Sequence, residues 1–296
     1  MAYRRFQHDE RTVEYVVDGP ENARDLLIFH FGTPSAAVRL SGLIAAAGAA
    51  GMRVASYSRG GYGTSTRREG RSVADEAAIT AALADELGYE RFSVVGWSGG
   101  GPVALACAAL LGGRVRACLT LAGSAPRTQS GNAWPTFHSP EQHKEWEDLA
   151  KGDMARLLPD FEGAVGFFSR VTVRKLRAIG GPPDPHGLAN DVEANVDRDL
   201  VRSMRRAVSH GYAGFLDDNL AQVRDWGFRV ADIRVPVVVR HGALDRLVSI
   251  EHGRWLAATI PGARSVFLDD AGHGSIALPW ADVVAELRAA AGHPAR

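Results

Sequence analysis

The sequence predicts an α/β fold, in which a mostly parallel sheet is covered by helices on both of its faces. Short, near-continuous apolar runs alternate with longer segments of helical periodicity, and this alternation fills the first and the last part of the 296-residue chain. A strand that is buried on both faces is apolar along its whole length, and strands separated by helices run parallel. These two observations favour the α/β class over all-helical or all-strand folds.

Glycines, and changes in the spacing of apolar residues, mark the ends of the strands and helices in the first half of the chain. An apolar run ends at Gly32, and Ser72 with Asp75 forms a capping-box-like start for a helix that extends to Gly88. The predicted strands of this half cover residues 12–17, 25–31, 52–57, 91–95 and 115–122, and the predicted helices cover residues 38–50, 72–87 and 102–111.

The alternation of strands and helices resumes in the last part of the chain, after a segment that lacks the apolar strand pattern. Strands are predicted over residues 235–240 and 263–268, and helices over 250–259 and 280–291. Aromatic side chains at roughly helical spacing between the two parts predict a helical cap. We therefore assign residues 1–123 and 233–296 to the α/β core and residues 124–232 to the cap. Because the cap follows a parallel strand, we expect it to hang over the carboxyl edge of the sheet.

Composition argues against several classes of function. The 34 basic and 34 acidic side chains balance, so we expect neither nucleic acid nor an anionic membrane as a partner. Cys107 and Cys118 are too few for a disulfide scaffold or a four-cysteine zinc site. No sequence feature calls for a metal, a flavin or a nucleotide, so no cofactor is expected. The N-terminus lacks the apolar segment of a secretory signal, which favours a cytoplasmic location.

The strongest local signal for chemistry is the motif Gly96-Trp97-Ser98-Gly99-Gly100, which lies between an apolar strand and an Ala-rich helix. A serine on such a sharp turn projects clear of the sheet. The residues two before and two after it must be small, because strand and helix cross closely there. The glycines of the motif meet this condition, so Ser98 is the candidate nucleophile.

A serine hydroxyl is a weak nucleophile, so a base and an orienting acid are expected further along the chain. His273 lies between two glycines after the last predicted strand and is the candidate base. Asp245 follows the strand over residues 235–240 and is the candidate acid. Asp269 and Asp270 compete for that role, but they are too near His273 in the chain to reach its ring easily. The chain order serine, acid, histidine is characteristic of one particular fold.

Stabilisation of a developing oxyanion requires two backbone N–H groups. One is expected from Gly99, at the start of the helix after the nucleophile, where the helix dipole also favours negative charge. The other is expected from Thr33, in the turn after the strand over residues 25–31. Pro34 has no N–H to offer, and Gly32 allows the turn to form.

With these residues the chain resembles the α/β-hydrolase superfamily, and in particular its capped bacterial serine hydrolases, which include esterases and proline iminopeptidases. The resemblance extends from about Phe6 to Leu287 and includes the glycine-rich segment over residues 57–65. It implies an eight-stranded sheet, a catalytic triad of Ser98, Asp245 and His273, and an oxyanion hole formed by the residues named above.

Four aromatic side chains are candidates for the substrate pocket: Trp97, Trp134, Phe137 and Phe168. Trp97 can pack beside the nucleophile or line the acyl site. The other three can form the core of the cap or shape a pocket between the cap and the sheet. The sequence leaves both alternatives open for all four.

The predicted function is cleavage of a small ester or a related acyl substrate through an acyl-enzyme on Ser98. An amide or peptide hydrolase is the nearest alternative, and it needs an electronegative pocket for a substrate amine. The acidic candidates for such a pocket are Glu162, Glu193, Asp217 and Asp218, of which the last two form either a solvated turn or contacts that face the pocket. A ligand receptor that keeps the hydrolase fold is a third alternative.

Overall fold

The computed structural model describes residues 3–180 and 191–292, and the side chains of residues 3–178 and 196–292. The strands of its sheet are β1 (Arg4–His8), β2 (Arg11–Asp18), β3 (Asp25–His30), β4 (Met52–Tyr57), β5 (Phe92–Trp97), β6 (Val115–Leu121), β7 (Val237–Gly242) and β8 (Arg264–Leu268). Their spatial order is β1-β2-β4-β3-β5-β6-β7-β8. β2 is antiparallel to both of its neighbours, and the strands from β4 across to β8 are parallel. The predicted mostly parallel sheet is confirmed.

Strand β1 has no counterpart among the strands that the residue pattern predicts. It contains one apolar side chain, Phe6, and five residues are too few for a recognisable alternation. The strand forms at the edge of the sheet because it pairs with β2, where Phe6 packs edge-on against Tyr15 with ring centroids 5.8 Å apart.

The helices are α1 (Ser41–Ala49), α2 (Asp75–Glu86), α3 (Gly101–Leu110), α4 (Arg127–Ser130), α5 (Pro140–Lys151), α6 (Met154–Phe168), α7 (Val173–Gly180), α8 (Asp191–Ala207), α9 (Ala213–Val223), α10 (Ile250–Thr259) and α11 (Trp280–Ala290). The two hydrogen bonds of the predicted capping box form, because the Asp75 carboxylate accepts from Ser72 N–H at 2.7 Å and Asp75 N–H donates to the Ser72 hydroxyl at 3.3 Å. The helix itself begins at Asp75, three residues later than predicted. Among the described residues, no helix combines the length and the apolar character that crossing a membrane requires.

Alternate side chains of the central strands contribute to two hydrophobic cores, one on each face of the sheet. Val94 of β5 packs in a core that includes Leu83 of α2 and Leu105 of α3. Its neighbour Val95 belongs to the opposite core, which includes Leu43 of α1. Helices therefore cover both faces, as the sequence predicts.

Helices α4–α9 form an insertion between β6 and β7, within the residues predicted to form the cap. The insertion has a small hydrophobic core of its own, made by Leu149, Leu157, Phe161, Leu216 and Val223. It is also bonded to the sheet domain, because the Asp199 carboxylate of α8 accepts from the backbone N–H (2.9 Å) and the hydroxyl (2.7 Å) of Ser41 at the start of α1.

Candidate active site

The turn after β5 places Ser98 at the carboxyl edge of the sheet. Ser98 has a φ angle of 55°, in the left-handed region that costs a non-glycine residue about 1–3 kcal/mol. A 3₁₀ turn, Ser98–Gly100, leads directly into α3. A Cβ atom on Gly96 would clash with the carbonyl oxygen of Gly100, and one on Gly100 would clash with that of His30. The first glycine is therefore required where β5 and the helix cross, and the second where the turn passes the end of β3.

The side chains of Asp245 and His273 meet beyond the ends of β7 and β8. His273 Nδ1 lies 2.7 Å from Asp245 Oδ2. The other carboxylate oxygen, Oδ1, accepts from the backbone N–H groups of Leu247 at 2.8 Å and Val248 at 2.9 Å. Burial alone would raise the pKa of Asp245, but its interactions with His273, His241 and the Val248 N–H outweigh burial and hold that pKa well below its usual range. Asp245 is therefore an anion at neutral pH.

The contact with Asp245 decides which nitrogen of His273 can accept a proton. In the neutral ring, Nδ1 carries the hydrogen that faces the carboxylate, so Nε2 is the basic nitrogen. The indole Nε1 of Trp97 donates to the backbone carbonyl oxygen of His273 at 3.0 Å, which holds the loop that carries the ring. Ser98 and His273 line the same cavity. The structure thus brings the predicted nucleophile, acid and base to one site.

Thr33 and Gly99, the predicted oxyanion donors, adjoin each other beside the nucleophile. A Cβ atom on Gly99 would clash with the hydroxyl oxygen of Thr33, and one on Gly32 would lie 3.0 Å from the Cβ of Ser98. Gly99 lies at the start of the turn that leads into α3, where backbone N–H groups have no intrahelical acceptor. Both residues line the cavity that contains Ser98.

A buried ion pair holds the loop that carries Thr33, and sequence analysis did not predict it. Arg59 donates from Nη1 to the carbonyl oxygen of Phe31 at 2.7 Å and from Nη2 to that of Gly32 at 3.1 Å. Asp218, on α9 of the insertion, accepts from Arg59 Nε at 2.9 Å and from the Thr33 hydroxyl at 2.7 Å. The Arg59 and Asp218 side chains are 2% and 4% exposed. The insertion therefore contacts the loop that carries Thr33 through a desolvated charge pair.

Further partners balance the charges of this cluster. Arg71 and the Tyr62 hydroxyl also donate to Asp218, and Arg71 pairs with Glu76 at 3.2 Å. Two guanidinium groups thus face two carboxylates. Burial alone would raise the pKa of Asp218, but the attraction of Arg59 and Arg71 outweighs burial and holds that pKa far below its usual range.

The structure corrects both sequence interpretations of Asp217 and Asp218. Both residues are buried, so they do not form a solvated turn. Neither belongs to the described lining of the cavity. Asp217 instead accepts from Arg67 at 2.8 and 2.9 Å. No local pattern distinguishes these roles, because the arginine partners lie more than a hundred residues away in the chain.

The remaining acidic candidates provide no free carboxylate for a substrate amine within the described structure. Glu162 is exposed on α6, and the side chain of Glu193 lies outside the described residues. The carboxylate in the described cavity lining is that of Asp197, which accepts from Arg177 Nε at 2.5 Å. The geometry therefore does not favour an aminopeptidase.

A cavity of about 350 Å³ lies between the carboxyl edge of the sheet and the insertion. Trp97 and Phe168, two of the four predicted pocket residues, line it. The other apolar side chains that line it from the insertion are Trp146, Leu176, Val196, Leu200, Met204 and Phe215. The walls of the cavity are therefore mainly apolar.

The other two predicted pocket residues are absent from the described lining, which corrects that part of the prediction. Trp134 and Phe137 are buried in the hydrophobic core that includes α2 and α3. Their rings lie 5.1 and 4.8 Å from that of His252, and His252 lines the cavity in their place. Helical spacing shows which side chains share a face, but not whether that face meets a core or a cavity.

Comparison with known proteins identifies the family. A family model described as the alpha/beta hydrolase fold matches residues 25–278, which is most of the chain. The chain belongs to the α/β hydrolase family. The resemblance predicted from its motifs is confirmed, and the protein is a hydrolase of the α/β fold.

Relatives of this α/β hydrolase include a curated esterase. The pimeloyl-[acyl-carrier protein] methyl ester esterase of Aromatoleum aromaticum is 29% identical over 229 residues, which are 76% of this chain and 81% of that protein. Two solved structures have the same fold. The enol-lactonase from Burkholderia xenovorans LB400 is 22% identical, with a TM-score of 0.66 over 95% of this chain and 96% of its own. The bromoperoxidase from Bacillus anthracis is 19% identical, with a TM-score of 0.70 over 98% of each chain.

Proposed function

We propose that the protein is a serine esterase that cleaves a small ester or a related acyl substrate through an acyl-enzyme on Ser98. The observation that carries the proposal is the 2.7 Å contact between His273 Nδ1 and the Asp245 carboxylate, in a cavity that also contains the strained Ser98. The 29% identity to an esterase supports the same reaction class.

In the acylation step, Ser98 Oγ attacks the ester carbonyl carbon while His273 Nε2 takes the hydroxyl proton. Asp245 stabilises the imidazolium that forms, because its carboxylate is already ionised and fixed by two backbone N–H groups. The carbonyl oxygen becomes an oxyanion, for which Thr33 and Gly99 supply the backbone donors. The C–O bond to the alcohol then breaks, and His273 returns its proton to the departing alkoxide.

Water completes the cycle by the same route. His273 Nε2 removes a proton from water, the hydroxide attacks the acyl carbon, and the bond between that carbon and Ser98 Oγ breaks. The proton on His273 returns to Ser98, and the carboxylic acid leaves. No step requires a group beyond the side chains and backbone donors named here.

The size and lining of the cavity support a small, largely apolar substrate. A volume of about 350 Å³ is near the lower end of the range for small-molecule sites. Phe168 and Phe215 pack edge-on with ring centroids 5.7 Å apart, which makes a rigid part of the wall. We therefore expect short acyl chains to be preferred over long ones.

Covalent labelling tests the nucleophile directly. A fluorophosphonate probe should modify Ser98 and no other serine, and the purified enzyme should turn over p-nitrophenyl esters of short acids. Ser98→Ala should abolish both. Ser124→Ala is the matched control, because Ser124 lines the same cavity without the strained backbone of the nucleophile, and this variant should keep the label.

Two outcomes would contradict the proposal. A label mapped to another serine, or to none in the folded enzyme, would remove Ser98 from its role. Labelling of Ser98 with a single stoichiometric release of p-nitrophenol and no further turnover would favour the ligand receptor over the esterase.

A further inference from the structure

The cavity has a polar end that the proposed chemistry does not use. His252 of α10 and His138 both line it, and their ring centroids are 4.7 Å apart. The Nε2 atom of each ring is buried and has no hydrogen-bond partner within the described structure. An unpartnered buried polar atom is costly unless something binds to it. Two such atoms on neighbouring rings therefore indicate a place for a polar ligand group.

The hydrogen-bond roles of His252 follow from its other nitrogen. The backbone N–H of Ala125 donates to His252 Nδ1 at 3.0 Å, so Nδ1 is an acceptor and carries no hydrogen. In the neutral ring the hydrogen must then be on Nε2, which makes Nε2 a donor without an acceptor. Since Ala125 occupies one edge of the ring, Nε2 is the polar atom left for a ligand.

Both rings are neutral at physiological pH. Burial, followed by the influence of His138 and His241, lowers the pKa of His252 well below its usual value. Burial and the neighbouring His143 lower the pKa of His138 to about 4. The described residues contain no group of His, Cys, Asp and Glu side chains that could hold a metal ion. A neutral oxygen function therefore fits this end better than an anion or a metal.

Packing holds the donor in a fixed orientation. His252 has no exposed surface, and the rings of Trp134 and Phe137 lie against it with centroids at 5.1 and 4.8 Å. The next residue, Gly253, approaches the ring of His241 so closely that a Cβ atom there would lie 2.7 Å from its Nδ1. Helix α10 is thus fixed against β7, and a fixed donor discriminates better than a mobile one.

We infer that His252, with His138 beside it, forms a subsite for a second oxygen function of the substrate, a carbonyl or hydroxyl oxygen remote from the scissile ester. Its oxygen accepts from His252 Nε2, and a hydroxyl can in addition donate to His138. The inference rests on the proposed esterase function and adds a substrate class to it, oxygenated esters in place of simple alkyl esters.

Matched substrate pairs test the subsite. One series consists of p-nitrophenyl oxoalkanoates and hydroxyalkanoates of five to eight carbons. The other consists of acetate esters of the corresponding oxo- and hydroxy-alcohols. Each ester is compared with its analogue that has a methylene in place of the oxygen function. At one or more positions the wild type should prefer the oxygenated ester by about 10-fold in kcat/KM, mainly through a lower KM.

Two conservative variants separate binding from structure. His252→Asn keeps an acceptor near the position of Nδ1 for Ala125 N–H but removes the donor at Nε2, so the preference should disappear. His252→Gln places an amide N–H₂ near the position of Nε2, so part of the preference should return. Met204→Leu is the control, because Met204 lines the same cavity without a side-chain hydrogen-bond donor, so its replacement should leave the preference in place.

The possible results have distinct meanings. Ester hydrolysis without any preference for oxygenated substrates overturns the subsite alone, and so does a preference that His252→Asn retains. If His252→Asn does not fold, His138→Phe provides the second variant, which should weaken a preference for the hydroxyl series. Absence of all ester hydrolysis and of Ser98 labelling overturns the esterase and the subsite together.

Discussion

Asp218→Asn should destabilise the protein much more than Asp217→Asn, although the two positions are adjacent on α9. Asp218 neutralises Arg59 and Arg71, whose side chains are only 2% and 3% exposed. The neutral amide would leave two buried guanidinium groups with one carboxylate, that of Glu76. The expected loss of unfolding free energy is about 3–5 kcal/mol, the usual effect of removing one partner from a buried ion pair.

The control substitution has a smaller effect because its partner can be solvated. Arg67, which donates to Asp217, is 38% exposed, so water can replace the carboxylate when the charge is removed. A loss on the order of 1 kcal/mol is expected there. Both substitutions keep the size of the side chain, so the difference between them reflects the number and the burial of the arginine partners.

Equilibrium unfolding in urea measures the two free energies, and thermal unfolding should show a decrease of Tm of roughly 10 °C for Asp218→Asn. A second measurement concerns catalysis. Arg59 donates to the carbonyl oxygens of Phe31 and Gly32. Because Asp218→Asn weakens the ion pair that holds Arg59, it should displace the loop that carries Thr33 and lower kcat for p-nitrophenyl esters. If both variants lose the same stability, the argument from desolvation is wrong.

Three further predictions concern the acid, the pocket and the pH dependence. Asp245→Asn should fold normally and lose kcat on the order of 10⁴-fold, whereas Asp270→Asn should keep most activity; the reverse kinetic result would reassign the acid. Phe168→Ala should shift the chain-length preference of kcat/KM toward longer acyl groups. Phe137→Ala should instead lower the free energy of unfolding by about 3–5 kcal/mol and leave that preference unchanged. If the two variants have the same chain-length preference, the pocket lies elsewhere. Burial, and then Arg59, lowers the pKa of His30 to about 3, so between about pH 6.5 and 3 the unfolded chain binds a proton that the folded chain does not. Stability should therefore fall with decreasing pH, by about 1.4 kcal/mol per unit for this group, and urea titrations of His30→Leu should show a slope smaller by that amount.

The sequence predicted the nucleophile turn because its requirements are local. A Cβ atom at residue 96 would clash with Gly100, and one at residue 100 would clash with the end of β3, so both positions require glycine, and each lies only two residues from the serine. Asp245 and His273 were predictable for a related reason, since each follows an apolar strand of a parallel sheet. The carboxyl ends of such strands meet at one edge, whatever their separation in the chain.

The parts that the sequence did not predict depend on contacts between distant segments. Asp218 is separated from Arg59 by 159 residues and from Thr33 by 185, and no local period relates them. The location of Phe168 in the cavity wall and of Phe137 in the core also depends on contacts between distant segments. Each lies at helical spacing, and only the docking of the insertion decides which of them meets a void.

The insertion therefore contributes to the site in two ways. Asp218 of α9 pairs with Arg59, which holds the loop that carries Thr33, and Phe168 of α6 lines the cavity. Because both contacts are made by the same segment, a change in how the insertion docks would alter the loop and the wall together. His252 belongs to α10 of the core, and its ring is held by Ala125, Trp134 and Phe137, which precede α5 in the chain. Substitutions that change how α6 and α9 dock should consequently alter chain-length preference and kcat together, whereas substitutions at His252 should alter the choice between oxygenated and alkyl substrates.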